Sequence, residues 1–446
     1  MIRSSRNRWR PFVAGAFALA ALSGCPCLVR AADLLDAYRL ALAGDPVLSQ
    51  AEATRQAARE GVGVARGPLL PQVSASLGYA RTRTADGAEV GIASPSSSRQ
   101  PALALSQTLF DLGRLAALRA EQARADSEDA SYRAAQQALP VRVAAAYIGV
   151  LMAADTLAIS QANEDAFVRQ VAESEARYRA GLSALVDLDQ ARAYAASARA
   201  NTIGARQALD AAHEALAELT GAPLAGLRTL REDASIALPE PADAQAWVGI
   251  ALQNNPLIQS RRDAVVAAER TIDGARSGHW PTLTAGVDVG RPAVWPADGS
   301  GRDGRTIASV GLLLKLPLTD GGTTQSLVRQ ALAQRDAAQA ALEAQRRQVA
   351  RDVADQFRSV AAGLQQIEAT RAAVASAAKA LEAMRVGQQT GTRTMTDLLL
   401  AIQQLGAAQA AYSQARHRCA YDRLVLLQLA GTVGEADLAA LNAQLI

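Results

Sequence analysis

Residues 65–79 read ARGPLLPQVSASLGY, and residues 275–289 read ARSGHWPTLTAGVDV. Both open on Ala-Arg and place a proline at the seventh position (Pro71 and Pro281). Both then alternate apolar residues with small or polar ones. The spacing is 210 residues. The same spacing relates Pro46 in AGDPVL to Pro256 in QNNPLI, and Leu219-Thr220-Gly221 to Leu429-Ala430-Gly431. It also relates Gly181 and Asp187 in YRAGLSALVDL to Gly391 and Asp397 in QQTGTRTMTDL. FDLG (110–113) pairs with TDGG (319–322) after a slip of one. One spacing shared by stretches of different composition marks an internal duplication.

Each half therefore carries one order of elements. A helix over 34–66, and again over 243–276, ends at a Gly/Pro turn. Paired strands follow, in hairpins over 69–110 and 282–317, and then a very long helix, a tight glycine break and a second helix. Only Pro140 interrupts the helical pattern from Leu112 to Arg179, and nothing interrupts it from Gly322 to Thr390. Pro140 is expected to bend its helix. At 1.5 Å per residue such a run makes a rod of about 100 Å. A rod that long must pack along other rods, as a coiled coil does. The repeats are bounded at 32–221 and 243–431, with a linker at 222–242 and a tail at 432–446.

Val73, Ala75, Leu77 and Tyr79 fall on one face of the first strand, opposite Ser74, Ser76 and Gly78. Leu103, Leu105 and Leu109 form the same kind of face in the second. Leu283, Ala285, Val287 and Val289 oppose Thr282, Thr284 and Asp288, and Val310, Leu312 and Leu314 oppose Ser309, Gly311 and Lys315. This alternation suits a soluble hairpin with one buried face, and equally strands that cross a bilayer at a tilt. If they are in lipid, four strands cannot close a barrel, and open edges are not tolerated there. Three chains would supply twelve. Segments 81–100 and 291–305 are polar and turn-rich, as outer loops would be, and Trp280 and Trp295 sit near strand ends.

The first ten residues, MIRSSRNRWR, carry four arginines and precede the apolar run PFVAGAFALAALSG, so residues 1–31 are expected to be a secretory signal peptide. Two processing routes stay open: cleavage after Ala31, or a lipobox, Leu22-Ser23-Gly24-Cys25, that would lipidate Cys25. No later apolar run approaches the ~20 residues of a spanning helix. The mature chain keeps one cysteine, Cys419, which excludes an internal disulfide and reads as a small core residue. His213, His279 and His417 have no metal-ligand spacing. The net charge of +3 is interspersed rather than gathered into a basic stripe, which argues against nucleic acid. A phosphate loop and a nucleophile elbow are both missing, so neither an enzyme nor a cofactor is expected.

PLLPQVSASLGY, LPLTDGG, MRVGQQTGTRTMTDLLLA and the terminal GEADLAALNAQL together resemble the TolC-type outer-membrane factors, over essentially the whole mature chain. Within that family the chain is most similar to the outer-membrane components of type I secretion systems for RTX toxins of the cyclolysin type. The resemblance implies a membrane α+β fold. Three chains would form a 12-stranded transmembrane β-barrel continuous with a periplasmic 12-helix α-barrel, girdled by a belt from 222–242 and the tail. It implies passive conduction of exported protein from an inner-membrane ABC transporter and its periplasmic adaptor, across the outer-membrane lipid. A proton-driven pump exporting small molecules is the alternative, and a periplasmic coiled-coil adaptor is an alternative of another class.

The resemblance also assigns residues. Gly181 and Gly391 match the turns at the helical tips, Arg393 the constricting arginine, Asp187 its carboxylate partner and Asp397 an acidic ring at the entrance. The chain departs from the family at Gln388, where a tyrosine is usual, at Leu400 in place of a second ring aspartate, and at Val186 in place of a hydroxyl residue. On the residues alone, Arg393, Asp187 and Asp397 read first as solvated helix-end charges.

Overall fold

A computed structural model of the chain describes residues 33–83, 95–224, 226–231, 237–296 and 304–446. The expected signal peptide, Cys25 and the centres of both outer loops lie outside the described residues. In the first half the elements are α1 (Leu34–Gly44), α2 (Pro46–Arg66), β1 (Gln72–Arg83), β2 (Pro95–Phe110), α3 (Leu112–Arg179) and α4 (Leu185–Thr220). The second half has α5 (Ala244–Asn254), α6 (Pro256–Arg276), β3 (Thr282–Gly290), β4 (Ala293–Pro296), β5 (Ile307–Lys315), α7 (Thr323–Gln389) and α8 (Met395–Ala430), followed by α9 (Glu435–Asn442). Equivalent helices match in length: α1 and α5 have 11 residues each, α2 and α6 have 21, α4 and α8 have 36, and α3 and α7 have 68 and 67.

Three expectations are corrected. The helices expected over 34–66 and 243–276 are each two helices, broken at Asp45 and Asn255. A residue before proline is pushed out of the α region, and both adopt extended backbone, at ψ 117 and ψ 120. Each then caps the next helix: Asp45 Oδ2 accepts from the Leu48 N–H at 2.9 Å, and Asn255 Oδ1 from the Leu257 N–H at 2.9 Å. Second, α3 contains one 18-residue stretch apolar enough to span a bilayer. The middle of α3 packs instead into the protein core, where Leu139, Val141, Val143, Ala144, Tyr147 and Leu151 are buried. Pro140 is buried among them, and the helix runs through it without interruption. Third, the third strand is divided. β4 pairs with β2 in the register that β3 began, since Gly290 faces Ala102 and Ala293 faces Arg99. Pro292, which has no N–H to give a ladder, sits at the gap.

The sheet order is β1-β2-β3-β5, antiparallel throughout. Its register carries the sequence alternation across strands. Val73, Leu105, Val287 and Val310 form one row, and Ala75, Leu103, Val289 and Ala308 form the next row on that face. Between them lies the row Ser74, Ala104, Asp288 and Ser309, on the opposite face. A bulge between Thr108 and Phe110 sets Phe110 opposite Leu283, returning it to the apolar face. That face is open: Val310 is 82% exposed and Leu77 72%. Among the described residues β1 and β5 each keep one unpaired edge.

Half-way along the rods sits the main core. α1 packs on α3 there, beside Leu424 of α8 and Leu438 of α9. The Tyr147 hydroxyl donates to the Arg228 carbonyl at 3.0 Å, and residues 229–231 pair with the tail through the Leu230–Leu445 bridge. In the second half Trp247 of α5 occupies the place of Ala37, packing on Val349, Val353 and Phe357 of α7. Within the second half α7 and α8 approach closely at Gly363, where a Cβ would lie 3.3 Å from Cys419 Sγ. Cys419 is buried and free, and burial pushes its thiol up to about 11, an inert core position.

Asp45 also anchors the rods. Its carboxylate, only 1% exposed, takes both Arg142 terminal nitrogens, at 3.1 and 2.5 Å. Burial pushes that carboxyl up, but Arg142 and the Leu48 N–H outweigh it and hold it below the usual carboxylate range. Arg142→Ala leaves the anion buried and is expected to cost about 3 kcal/mol in chemical denaturation of the detergent-extracted protein. Because the folded value is depressed, the contribution is complete above about pH 4 and is lost as pH falls through that lower folded value. Asp45→Asn should remove this part of the acid sensitivity; an unchanged acid slope would show that the pair carries none of it.

Candidate functional site at the helical tips

Both long helices end in the same reversal. The chain leaves α3 through Gly181 at φ +72 and α7 through Gly391 at φ +75, a left-handed conformation that costs glycine nothing. The turns close by backbone bonds, Leu182 N–H to the Arg177 carbonyl and Thr392 N–H to the Gly387 carbonyl, each 2.8 Å. Thr390 and Thr392 hydroxyls both donate to that same Gly387 oxygen at 3.1 Å, so the GTRT turn is more tightly tied than its counterpart.

Arg393 folds back along the last turn of α7. A Cβ on Gly387 would lie 2.6 Å from the Arg393 Cγ, so the glycine makes room for the arginine stem. Gly387 was not singled out from sequence, because a glycine inside a helical pattern has no local signal of its own. The guanidinium is exposed and, among the described residues, has no carboxylate at ion-pair distance. Asp187 lies in the first turn of α4, partly exposed, and within one chain it does not meet Arg393. Gln388 points inward and is only 6% exposed. Leu400 and Val186 are exposed at the tip, at 48% and 63%.

Asp397 has a local role as well. It completes a capping box with Thr394: its N–H donates to Thr394 Oγ1 at 3.2 Å, and its Oδ2 accepts from the Thr394 N–H at 3.1 Å. The T-x-x-D pattern of 394–397 encodes this box and could have been read from sequence. The Thr394 N–H and hydroxyl, and then the nearby Arg393 charge, hold the Asp397 carboxyl below the usual range, so it is ionised at neutral pH. Beside it, the Thr396 hydroxyl donates to Gln190 Oε1 at 2.8 Å, tying the start of α8 to the start of α4. No local pattern announces that bond. Above the turns α3, α4 and α8 share a small core of Phe167, Ala198, Met395, Leu398, Leu399 and Ile402, against which Leu381 and Met384 of α7 pack.

Further up, His417 of α8 is buried against Asp155 of α3, with Nε2 3.0 Å from Oδ2, and the Ser413 hydroxyl donates to the same oxygen. Burial pushes the Asp155 carboxyl up, and His417 and Ser413 more than reverse it. Serine and imidazole both converge on the carboxylate, so the set lacks the hydroxyl-to-imidazole relay of a nucleophile triad. It is a clasp between two rods. Among the described residues no group of three or more metal-ligating side chains occurs.

The fold and its two-tipped rods are those of an outer-membrane channel. A family model described as outer membrane efflux protein matches residues 37–222 and again 247–432, two segments that begin 210 residues apart. The chain belongs to this TolC-type family and is an outer-membrane protein. It is 34% identical to the outer membrane protein TolC of Escherichia coli (strain K12), over 94% of this chain and 86% of that protein. It is 30% identical to the alkaline protease secretion protein AprF of Pseudomonas aeruginosa, over 92% of this chain and 86% of that protein. Protein CyaE of Bordetella pertussis matches at 30% identity, but over 65% of this chain and 60% of its own length. The solved structure of CusC superposes with a TM-score of 0.78, covering 90% of this chain and 92% of CusC at 20% identity.

A test of the turns follows from the open space at Gly391, where no atom lies within 4 Å of a built Cβ. Gly391→Ala should therefore cost only the backbone penalty, about 1–2 kcal/mol, read as faster hydrogen exchange at the Thr392 N–H. Gly391→Asn should recover part of it. Gly431→Ala should cost more, since its Cβ would lie 2.5 Å from the Asn254 carbonyl oxygen.

Proposed function

We propose that three copies of the chain form a passive conduit across the outer membrane, with twelve strands closing a barrel and twelve rods enclosing a periplasmic tunnel. The observation that carries this reading is the pair of unpaired edges on β1 and β5, bordering a sheet with one continuous exposed apolar face. Such a sheet is soluble in lipid only when its edges are paired by further strands. Cargo would enter at the tips, delivered by an inner-membrane ABC transporter through a periplasmic adaptor. Exported protein is the cargo this reading favours, because relatives named for protease secretion match more than nine-tenths of the chain at 28–30% identity. Likeness to channels at about 20% identity supports the fold only and does not favour small molecules.

The entrance is proposed to close through Arg393 and Asp187 of neighbouring coiled coils, with Gln388 buried behind them. An exposed pair of this kind is worth little, ~0–1 kcal/mol, which suits a gate that a docked adaptor must open. Three Asp397 carboxylates would ring the axis and draw cations to the mouth.

In planar bilayers Arg393→Ser is expected to raise conductance; unchanged conductance would take the arginine out of the gate. Asp397→Ala should weaken block by multivalent cations. In the parent protein the block should persist at pH 5 and fade only below the ordinary carboxylate range, because the Asp397 carboxyl is held low. For the cargo, deleting the chain should abolish secretion of a co-encoded RTX-type protein while leaving drug susceptibility unaltered. The reverse pattern would favour small-molecule efflux.

A further inference from the structure

The end of the sheet farthest from the helices carries cations on the face that should be apolar. Tyr79 and Arg81 continue the row of Val73, Ala75 and Leu77 along β1. Register sets Tyr79 directly opposite Arg99, and Arg81 opposite Ser97. On the other side of β2, Ser97 faces Trp295 and Arg99 faces Ala293. The side chains agree with this placement. The Arg99 guanidinium lies over the Trp295 ring, 5.3 Å from its centroid, and the Tyr79 hydroxyl is 3.4 Å from Ser97 Oγ. Arg81 and Arg99 are both exposed, and neither has a carboxylate partner among the described residues. By contrast, Arg114, at the helix-side end of the sheet, is taken up by Asp111 at 3.1 Å and by Pro68 and Thr108 oxygens.

Arginine is costly on a lipid-facing strand at mid-membrane, and the cost falls to near nothing at the interface. Tyrosine and tryptophan beside it mark that interface, because their rings sit at headgroup level. The Trp295 ring holds the Arg99 guanidinium in place while the side chain stays exposed, and a guanidinium edge matches a phosphate. On diagonal positions of neighbouring strands, two arginines are close enough to share one anion. The helices leave from the opposite end of the sheet, so this rim lies in the outer leaflet, whose characteristic anion is a phosphate on a glucosamine lipid.

We propose that Tyr79, Arg81, Arg99 and Trp295 form a binding site on the outer rim of the barrel for a phosphate of the phosphorylated glycolipid of the outer leaflet. This rests on the membrane-embedded sheet of the preceding section. It adds a specific lipid contact to a surface otherwise held by hydrophobic burial alone.

The test uses the full-length protein in mild detergent, titrated with lipopolysaccharide and read by native mass spectrometry. Parallel titrations use the same glycolipid with its lipid phosphates removed, phosphatidylglycerol, and inorganic phosphate. Lipopolysaccharide should bind, the dephosphorylated form should bind weakly, and neither phosphatidylglycerol nor free phosphate should displace it. The R81Q/R99Q double variant should bind on the order of tenfold or more weakly, and Trp295→Leu should fall between. Lys315→Gln removes the same charge from the opposite face and should bind as the parent does. Parent-like binding by R81Q/R99Q, or equal binding of the dephosphorylated glycolipid, overturns the site. Equal binding of phosphatidylglycerol reduces it to a charged surface and overturns the glycolipid assignment. The parent's oligomer mass and conductance are recorded alongside: a monomer without conductance sinks the channel reading, whereas a conducting trimer that ignores the glycolipid sinks this site alone.

Discussion

An unpaired backbone N–H or C=O cannot be left in hydrocarbon, and this rule governs the molecule from the sheet outward. β1 and β5 each end the sheet with an open ladder, while the face they share is apolar from Val73 to Val310. Neither feature is stable in a lone chain: water rejects the face and lipid rejects the edges. Further copies, as proposed above, would resolve both, and the internal repeat supplies each copy with two such units. A unit of two strands, repeated twice per chain and multiplied by symmetry, closes a ring that no single unit can close.

The rods obey the companion rule that a helix draws stability from its packing rather than from its length. The interior contacts of α3 and α7 are unevenly distributed. Half-way along, α1, α5 and α9 wrap them, the Asp45 carboxylate is buried against Arg142, and the linker and tail join edge to edge. Asp45 and Asn255 make this wrapping possible. By ending one helix and capping the next they turn a straight rod of about 30 residues into two packed segments, each aimed differently at the long helices.

Much of this was legible in the residues. The spacing of 210, the alternation of the strands and the positive-φ glycines at 181 and 391 each have a local physical cause, so each leaves a local mark. The break before Pro46 and Pro256 was also written there, since proline constrains its predecessor, but the continuing helical periodicity on either side concealed it. What could not be read is what depends on distant partners. Gln190 meets Thr396 across 206 residues, and Asp155 meets His417 across 262. Gly387 matters only because Arg393 folds back onto it. Within a single chain Arg393 and Asp187 do not meet, so the pairing proposed for the gate would have to form between chains.

Polar bonds are distributed along the rods in a way that fits a conduit opening at one end. At mid-length they are buried: the Asp45 carboxylate is 1% exposed and His417 3%. Breaking such a bond strands a desolvated group, so it is made once and kept. At the tips they are exposed or nearly so, where water can replace a lost partner at little cost. The bonds of the GTRT turn, of the Thr394–Asp397 box and of Arg393 lie at that wet end. Above them the shared core is built on Phe167, Leu399 and a flexible methionine, Met395, rather than on a buried charge pair. Rods fastened at the middle and tied only lightly at the tip can splay there without losing their register above. The gate proposed at the tips needs its stability placed in that order.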